Sequence, residues 1–286
     1  MDIGSICKVY DLARLEYGRA WELQKQLVTR SKADGSNHLL LVEHPPVFTL
    51  GRGAAPVNLL ASTERLRRLG ADIYSVDRGG DVTFHGPGQI VAYPIFNLGD
   101  RGHDVVHYVR SLEQVVIDTL AEFGITGIRV PGQPGVWLDE QRKICALGVR
   151  ISRGVTSHGL ALNVSTDLGW FDHVVPCGLA GTTATSMAEI LPQAPRLEDV
   201  GETLVEHFGR HFELDMTRAQ PVDAAEDVNG GAQTLGPSPW QGEGGVRLRG
   251  GWEGPSSRQT SQTTQTIKQL TGESEMNPAS VKQVAA

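Results

Sequence analysis

The sequence predicts an α+β fold, a mixed β-sheet packed with helices. Strand-like apolar runs bunch through its middle, and helical periodicities sit toward both ends. Residues 15–30 and 58–69 repeat apolar positions at helical spacing. Between and after them, His38–Glu43, Val47–Leu50, Ile73–Val76 and Ile90–Phe96 read as strands. The clearest helix spans 103–123, where Val106, Val109, Leu112, Val116, Leu120 and Phe123 share a side and Gly124 stands at the expected stop. Gly135–Leu138, Lys143–Ile151 and Ser157–Val164 follow as strands. Leu197–Phe212 is a further helix, with Leu204, Val205 and Phe208 on one side. Very short connections between several strands predict antiparallel hairpins.

Composition divides the chain near Ala219–Pro221. Residues 1–220 carry the periodic apolar segments and are expected to form the catalytic domain. Residues 221–286 turn to Gly, Ser, Thr, Gln and Pro, as in Gly-Pro-Ser-Pro at 236–239. Such a low-complexity tail buries too little apolar surface to offset its ordering entropy, and is expected to be disordered even with Trp240 and Trp252 in it. A formal net charge of −7 argues against nucleic-acid binding, which needs a basic face. Cys7, Cys145 and Cys177 are too few and too scattered for a disulfide framework, and no CxxC pair or His-rich cluster suggests a metal site. Residues 1–20 carry Asp2, Asp11 and Glu16 and do not read as a signal peptide. No apolar run approaches a membrane span, so a reducing, cytoplasmic setting is expected.

Three segments carry chemistry. The first is Arg78-Gly79-Gly80-Asp81-Val82-Thr83-Phe84-His85-Gly86-Pro87-Gly88-Gln89. Its glycines let backbone approach a ligand closely, and Arg78, His85 and Gln89 supply polar groups. It lacks the GxGxxG of dinucleotide sites and the Gly-Lys-Ser/Thr of a P-loop. The second is Arg142–Gly148. Period-2 alternation puts Lys143, Cys145 and Leu147 on one face, opposite Ile144 and Ala146. Whether Lys143 faces solvent or turns inward as a base is open at this point. The third is Val174-Val175-Pro176-Cys177-Gly178, where a cysteine between proline and glycine lies in a turn whose amides suit an oxyanion hole. A buried cysteine is otherwise a small hydrophobe, which is the better description of Cys145. Between the last two segments, Gly159 and Ala161 offer room for an alkyl chain, while His158 reads as structural.

In this order these motifs resemble the lipoyl(octanoyl) transferases, from about residue 5 to about residue 215. The resemblance implies the catalytic-domain fold of biotin and lipoate protein ligases. It implies transfer of octanoyl from octanoyl-acyl carrier protein to a lysine ε-amine in lipoyl domains, those of the 2-oxoacid dehydrogenase complexes and the glycine cleavage H protein. By the same resemblance Cys177 is the acyl-thioester nucleophile and Lys143 its partner. Arg78, Gly79, Gly80, Asp81, Val82, Thr83, Phe84, His85, Ala146, Leu147, Gly148, Gly159, Leu160 and Ala161 line the acyl substrate. Cys145 stands where the family has a small residue such as Ala. Thioester exchange is close to isoenergetic, so no ATP, metal or other cofactor is expected. A free cysteine of pKa about 8.5 is only partly thiolate at neutral pH, and a nearby ammonium stabilises that form.

Three alternatives differ in chemistry. An ATP-dependent lipoate–protein ligase would need an adenylate site and no nucleophilic cysteine. A non-catalytic carrier-binding module would not need the Lys143–Cys177 pair. A papain-like hydrolase would need His85 or His173 beside Cys177, and no protease signature surrounds that cysteine. Arg52, Arg142, Arg150 and Arg153 are candidate contacts for acidic protein partners.

Overall fold

A computed structural model describes residues 5–99, 104–175 and 181–219. Cys177 and the 221–286 tail, with Trp240 and Trp252, lie outside the described residues. The element order is β1 (Ser5–Arg14), α1 (Tyr17–Asp34), β2 (Asn37–Glu43), β3 (Val47–Leu50), α2 (Thr63–Arg68), β4 (Asp72–Ser75), β5 (Val82–His85) and β6 (Gln89–Ile95). It continues with α3 (Val105–Glu122), β7 (Ile128–Val130), β8 (Gln133–Trp137), β9 (Arg142–Ser152), β10 (Val155–Asn163), β11 (Thr183–Ala184), α4 (Met187–Ile190), α5 (Leu197–Phe212) and β12 (Leu214–Ala219).

The main sheet runs β12-β1-β2-β6-β10-β9-β8-β7, with β11 paired to β9. β1 is parallel to both β2 and β12. From β2 onward the neighbours along that path are antiparallel, the β9–β10 hairpin among them. This is the mixed α+β sheet that the spacing predicts. A smaller sheet, β4-β3-β5, stands beside it.

Alternation along the strands sorts side chains between two layers. Leu39, Leu41, Ile90 and Ala92 join Leu112, Val116, Leu120, Leu204 and Phe208 of α3 and α5 in one core. Leu40, Val42, Val91, Tyr93 and Ile95 join Tyr17, Ala20 and Leu27 of α1 in the other. A strand buried on both faces reads as a continuous apolar run, which is why β2 shows no polar alternation. The smaller sheet has its own core, in which Phe48, Phe84, Leu66 and Trp170 pack together.

Tertiary pairing alters several local expectations. The helix expected over 58–69 forms only from Thr63 to Arg68, capped by the Ser62 hydroxyl accepting from the Arg65 amide at 3.3 Å. Ahead of it, Asn58 ends a short 3-10 turn from Pro56, and Leu59 is extended and bridged to Val174, with the Leu60 amide donating to His173 O at 2.9 Å. β5 lies inside the glycine-rich segment read as a loop, where pairing with β3 from Leu50↔Val82 to Val47↔His85 makes strand of Val82–His85. β1, β7, β11 and β12 were likewise not evident from the sequence, and Cys7 of β1 is wholly buried core. No helix among the described residues is long and apolar enough to cross a membrane.

One buried acid fastens α3 to the sheet edge. Glu113 is 1% exposed, and its carboxylate accepts from Arg110 Nη1 at 2.8 Å, Arg129 Nε at 3.1 Å and the Gly135 amide at 3.0 Å. Removing the carboxylate strands the buried Gly135 amide, while the part-exposed Arg110 and Arg129 guanidinia can turn to water. Glu113→Ala is therefore expected to lower unfolding free energy by about 1–3 kcal/mol. Urea unfolding measures the change, and a loss below about 1 kcal/mol would contradict the clasp.

Candidate active site

A cleft of about 260 Å³ opens on the α1 side of the main sheet. Its walls come from α1, the segment from Arg78 to His85, β6, the turn entering β8, and strands β9 and β10. Apart from Lys143, treated below, it collects most of the residues singled out by the resemblance: Arg78, Gly80, Asp81, Val82, Thr83, His85, Ala146, Leu147, Gly148, Gly159, Leu160 and Ala161. Gly79 and Phe84 are not among its lining residues. The Gly79 amide donates to Val149 O at 2.9 Å, and Phe84 turns into the smaller core, stacked on Trp170 with centroids 5.1 Å apart. Neighbours on one strand cannot all face the same way, so Phe84 and Thr83 part company.

Lys143 lies in the cleft wall through a break in strand alternation. Val136 of β8 faces Cys145 and Trp137 faces Lys143, a one-residue register shift. The extra residue lets Ile144 and Cys145 both enter the α3/α5 core, each wholly buried. Lys143 therefore lines the cleft together with Ala146, not on the face of Cys145 as strict period-2 alternation had it. Its side chain is only 7% exposed. Nζ donates to Pro134 O at 3.2 Å and sits 4.4 Å from the Trp137 ring centroid. Gly135, at φ +129°, makes this path possible. A Cβ there would stand 2.7 Å from Cys145 O and 3.3 Å from Lys143 Cε.

Arg78 is 6% exposed. Its guanidinium donates to Thr49 O at 2.7 Å, to Thr49 Oγ1 at 2.9 Å and to Gly79 O at 3.0 Å. Thr49 Oγ1 also lies 3.5 Å from His85 Nε2. The Gln89 amide nitrogen donates to Asn163 Oδ1 at 2.9 Å and to Phe84 O at 3.3 Å, which leaves its oxygen to accept from His85 Nδ1 at 2.9 Å. Asn163 Nδ2 in turn donates to Thr185 O at 2.9 Å, and the Thr185 amide donates to Lys143 O at 2.9 Å. Gly159 has a different reason from alkyl-chain room: a Cβ there would meet Ala92 O of the neighbouring strand at 2.1 Å.

Several wall residues carry no sign of that role in the sequence. Tyr17 and Tyr93 contribute buried rings from α1 and β6, and Gly132, Gln133 and Pro134 close one side. Their signal is only that of core aromatics and a turn. His158, read as structural, also lines the cleft, and its Nε2 donates to Asp77 Oδ1 at 2.7 Å. Asp77 is paired with Arg150 as well. Arg142 is paired with Asp139 at 2.7 Å, while Arg52 and Arg153 are exposed.

Burial dominates the ionisation of the histidines. It lowers His44 to about 4, against the opposing hydrogen bond to Leu15 O, and lowers His85 to about 3, with help from His44 and Arg78. Burial also lowers His158, the Asp77 carboxylate opposing it, and Asp77 itself is held below the usual carboxylate range chiefly by the His158 hydrogen bond. These rings are neutral in the folded chain near neutral pH. The unfolded chain binds their protons from about pH 6.5. Stability from His44 and His85 is therefore fully present above about pH 6.5 and falls on acidification toward pH 4 and pH 3. Each group contributes a slope of about 1.4 kcal/mol per pH unit within its window. Urea titrations between pH 7 and pH 4.5 should show the decline, with His44→Gln removing one such increment. An unchanged slope in that variant would contradict the assignment.

Residues 16–209 match the lipoyl protein ligase A/B catalytic domain. An octanoyltransferase of Solibacter usitatus is 50% identical over 220 residues, covering 77% of this chain and 99% of the relative. One from Chloroflexus aurantiacus is 49% identical over 210 residues, covering 72% and 94%. Among solved structures, a bipartite lipoate protein ligase of Thermoplasma acidophilum superposes with a TM-score of 0.64 at 14% identity, covering 78% of this chain and 90% of the other. Lipoate-protein ligase A bound with ATP superposes with a TM-score of 0.63 at 14% identity, covering 79% and 92%. The ligases share the fold, and the two curated relatives carry the name of an acyltransferase. This chain belongs to the octanoyltransferase family, acyltransferases built on the lipoyl protein ligase A/B catalytic domain.

Proposed function

We propose that the chain takes octanoyl from octanoyl-acyl carrier protein and places it on a lysine ε-amine of a lipoyl domain, through a thioester on Cys177. The observation that carries this reading is a buried lysine lining an apolar cleft beside both flanks of the segment that holds Cys177. Val174 and Ala184, before and after that segment in the chain, border a small recess together with Lys143, Ala146 and Ala161. Ala184 also pairs with Lys143 in the β11–β9 ladder. Cys7 and Cys145 do not suit the role of nucleophile, because both are buried and burial pushes their thiols well up.

In this mechanism the Cys177 thiolate attacks the carrier thioester carbonyl. The tetrahedral intermediate collapses, the carrier's phosphopantetheine thiolate leaves, and octanoyl remains on sulfur. The Lys143 ammonium stabilises the attacking thiolate and gives a proton to the departing one. The target amine then attacks the acyl-enzyme, neutral Lys143 takes its proton, and the Cys177 thiolate is released. One thioester is exchanged for another and then for an amide, so ATP has no part. The neutral cleft histidines leave Arg78 and Lys143 as the cationic groups in the wall. The carriers of this chemistry fall within residues 1–220, and the cysteine usage fits a reducing cytoplasm.

Two experiments test the proposal. Intact mass spectrometry after mixing with octanoyl-acyl carrier protein, without ATP, should show an octanoyl adduct on wild type and Cys145→Ser. The adduct should be absent from Cys177→Ser and discharged by a lipoyl domain. An undiminished adduct in Cys177→Ser, or a requirement for ATP, defeats the mechanism. Lys143→Ala should lower kcat by about 100-fold or more while circular dichroism shows the chain folded. Wild-type turnover in that variant would separate Lys143 from catalysis.

A further inference from the structure

On the sheet face opposite the cleft, α3 and α5 pack against each other and bring together side chains distant in sequence. Asp118 and Glu122 stand one turn apart on α3, and His207 and His211 one turn apart on α5. Ligating atoms of Asp118, His207 and His211 all lie within 4.8 Å of one another. Residue by residue, the sequence offers no zinc pattern here, because the four positions meet only when the helices dock.

His207 supplies an independent observation. The residue is 5% exposed, and its Nε2 is buried with no hydrogen-bond partner. The nearest carboxylate oxygen, Glu122 Oε1, is 3.7 Å away, beyond hydrogen-bond reach. A buried imidazole nitrogen without a partner is destabilising unless something satisfies it. Asp118 is already oriented: its Oδ1 accepts from Gln114 Nε2 at 2.8 Å, and Gln114 Oε1 accepts from Arg129 Nη2 at 2.6 Å. That leaves Oδ2 facing the cluster, where it accepts from His211 Nε2 at 2.6 Å. Hydrogen bonds that hold a ligating carboxylate from behind are typical support for a metal site.

We infer that Asp118, His207 and His211, with Glu122 as fourth ligand, form a zinc site that ties α3 to α5. Two imidazoles and carboxylate oxygens are a donor set zinc accepts in tetrahedral geometry, and one that magnesium or calcium does not favour. Bonds of about 2.0–2.2 Å put tetrahedral ligand atoms about 3.4 Å apart. The half-buried side chains of Asp118 and His211 and the exposed Glu122 can close that distance around the fixed His207. On binding, the Nε2 proton of His211 moves to Nδ1 through solvent, and the freed lone pair goes to the metal. The site lies away from the proposed acyl chemistry and does not depend on it.

The test uses an untagged full-length chain carrying Cys177→Ser, which removes that thiol as a metal ligand. After dialysis against zinc and then metal-free buffer, elemental analysis should find one zinc per chain. The count should fall to background in His211→Ala and in Asp118→Ala, and persist in the surface control His107→Ala. Zinc, but not magnesium, should raise Tm by roughly 5–10 °C at a hundredfold excess over its Kd, and cobalt should give the intense visible absorption of four-coordinate binding. No retained zinc in the parent chain, or equal zinc in His211→Ala with circular dichroism showing both folded, overturns the inference.

Discussion

The one-residue shift between β8 and β9 governs the geometry of the cleft. Without it, Lys143 would fall on the face of Cys145 and Leu147 and be driven into the α3/α5 core. A bare ammonium there would cost far more than the packing returns. With the extra residue absorbed, Ile144 and Cys145 both fill that core, and Lys143 emerges among the cleft residues. Two neighbouring features depend on the same irregularity. Gly135 clears the lysine's path, and Glu113 holds the Gly135 amide so that Pro134 O meets the ammonium.

A polar chain then joins elements that would otherwise be independent. Arg78, Thr49, His85, Gln89, Asn163 and Thr185 form successive contacts from the smaller sheet, across β6 and β10, to the segment beside Lys143. Every group in it is buried or nearly so, and a break at one position would strand donors and acceptors on both sides. Neutral His85 suits this role. Its lowered pKa keeps one nitrogen as donor and the other as acceptor, so the direction of the chain is maintained.

The two faces of the sheet carry different work. The α1 face bears an apolar cleft with a few polar groups, the form expected of a small acyl site. The α3/α5 face bears the larger hydrophobic core and, at its rim, the histidine and carboxylate cluster.

Much of this molecule was legible in its sequence because the signals are local. The periodicity of α3 and α5, the apolar runs of β2, β6, β9 and β10, and the ordered motifs around Arg78, Lys143, His158 and Cys177 depend on neighbours a few residues apart. Tertiary structure decided the rest. β5 is a strand because β3 pairs with it, Leu59 and Leu60 stay out of the helix because Val174 and His173 bind them, and Phe84 faces a core rather than the cleft. The direction of Lys143 depends on a register shift, and the meeting of Asp118 with His207 and His211 depends on helix docking. Such features arise from contacts between residues far apart in the chain, and period and composition carry no record of them.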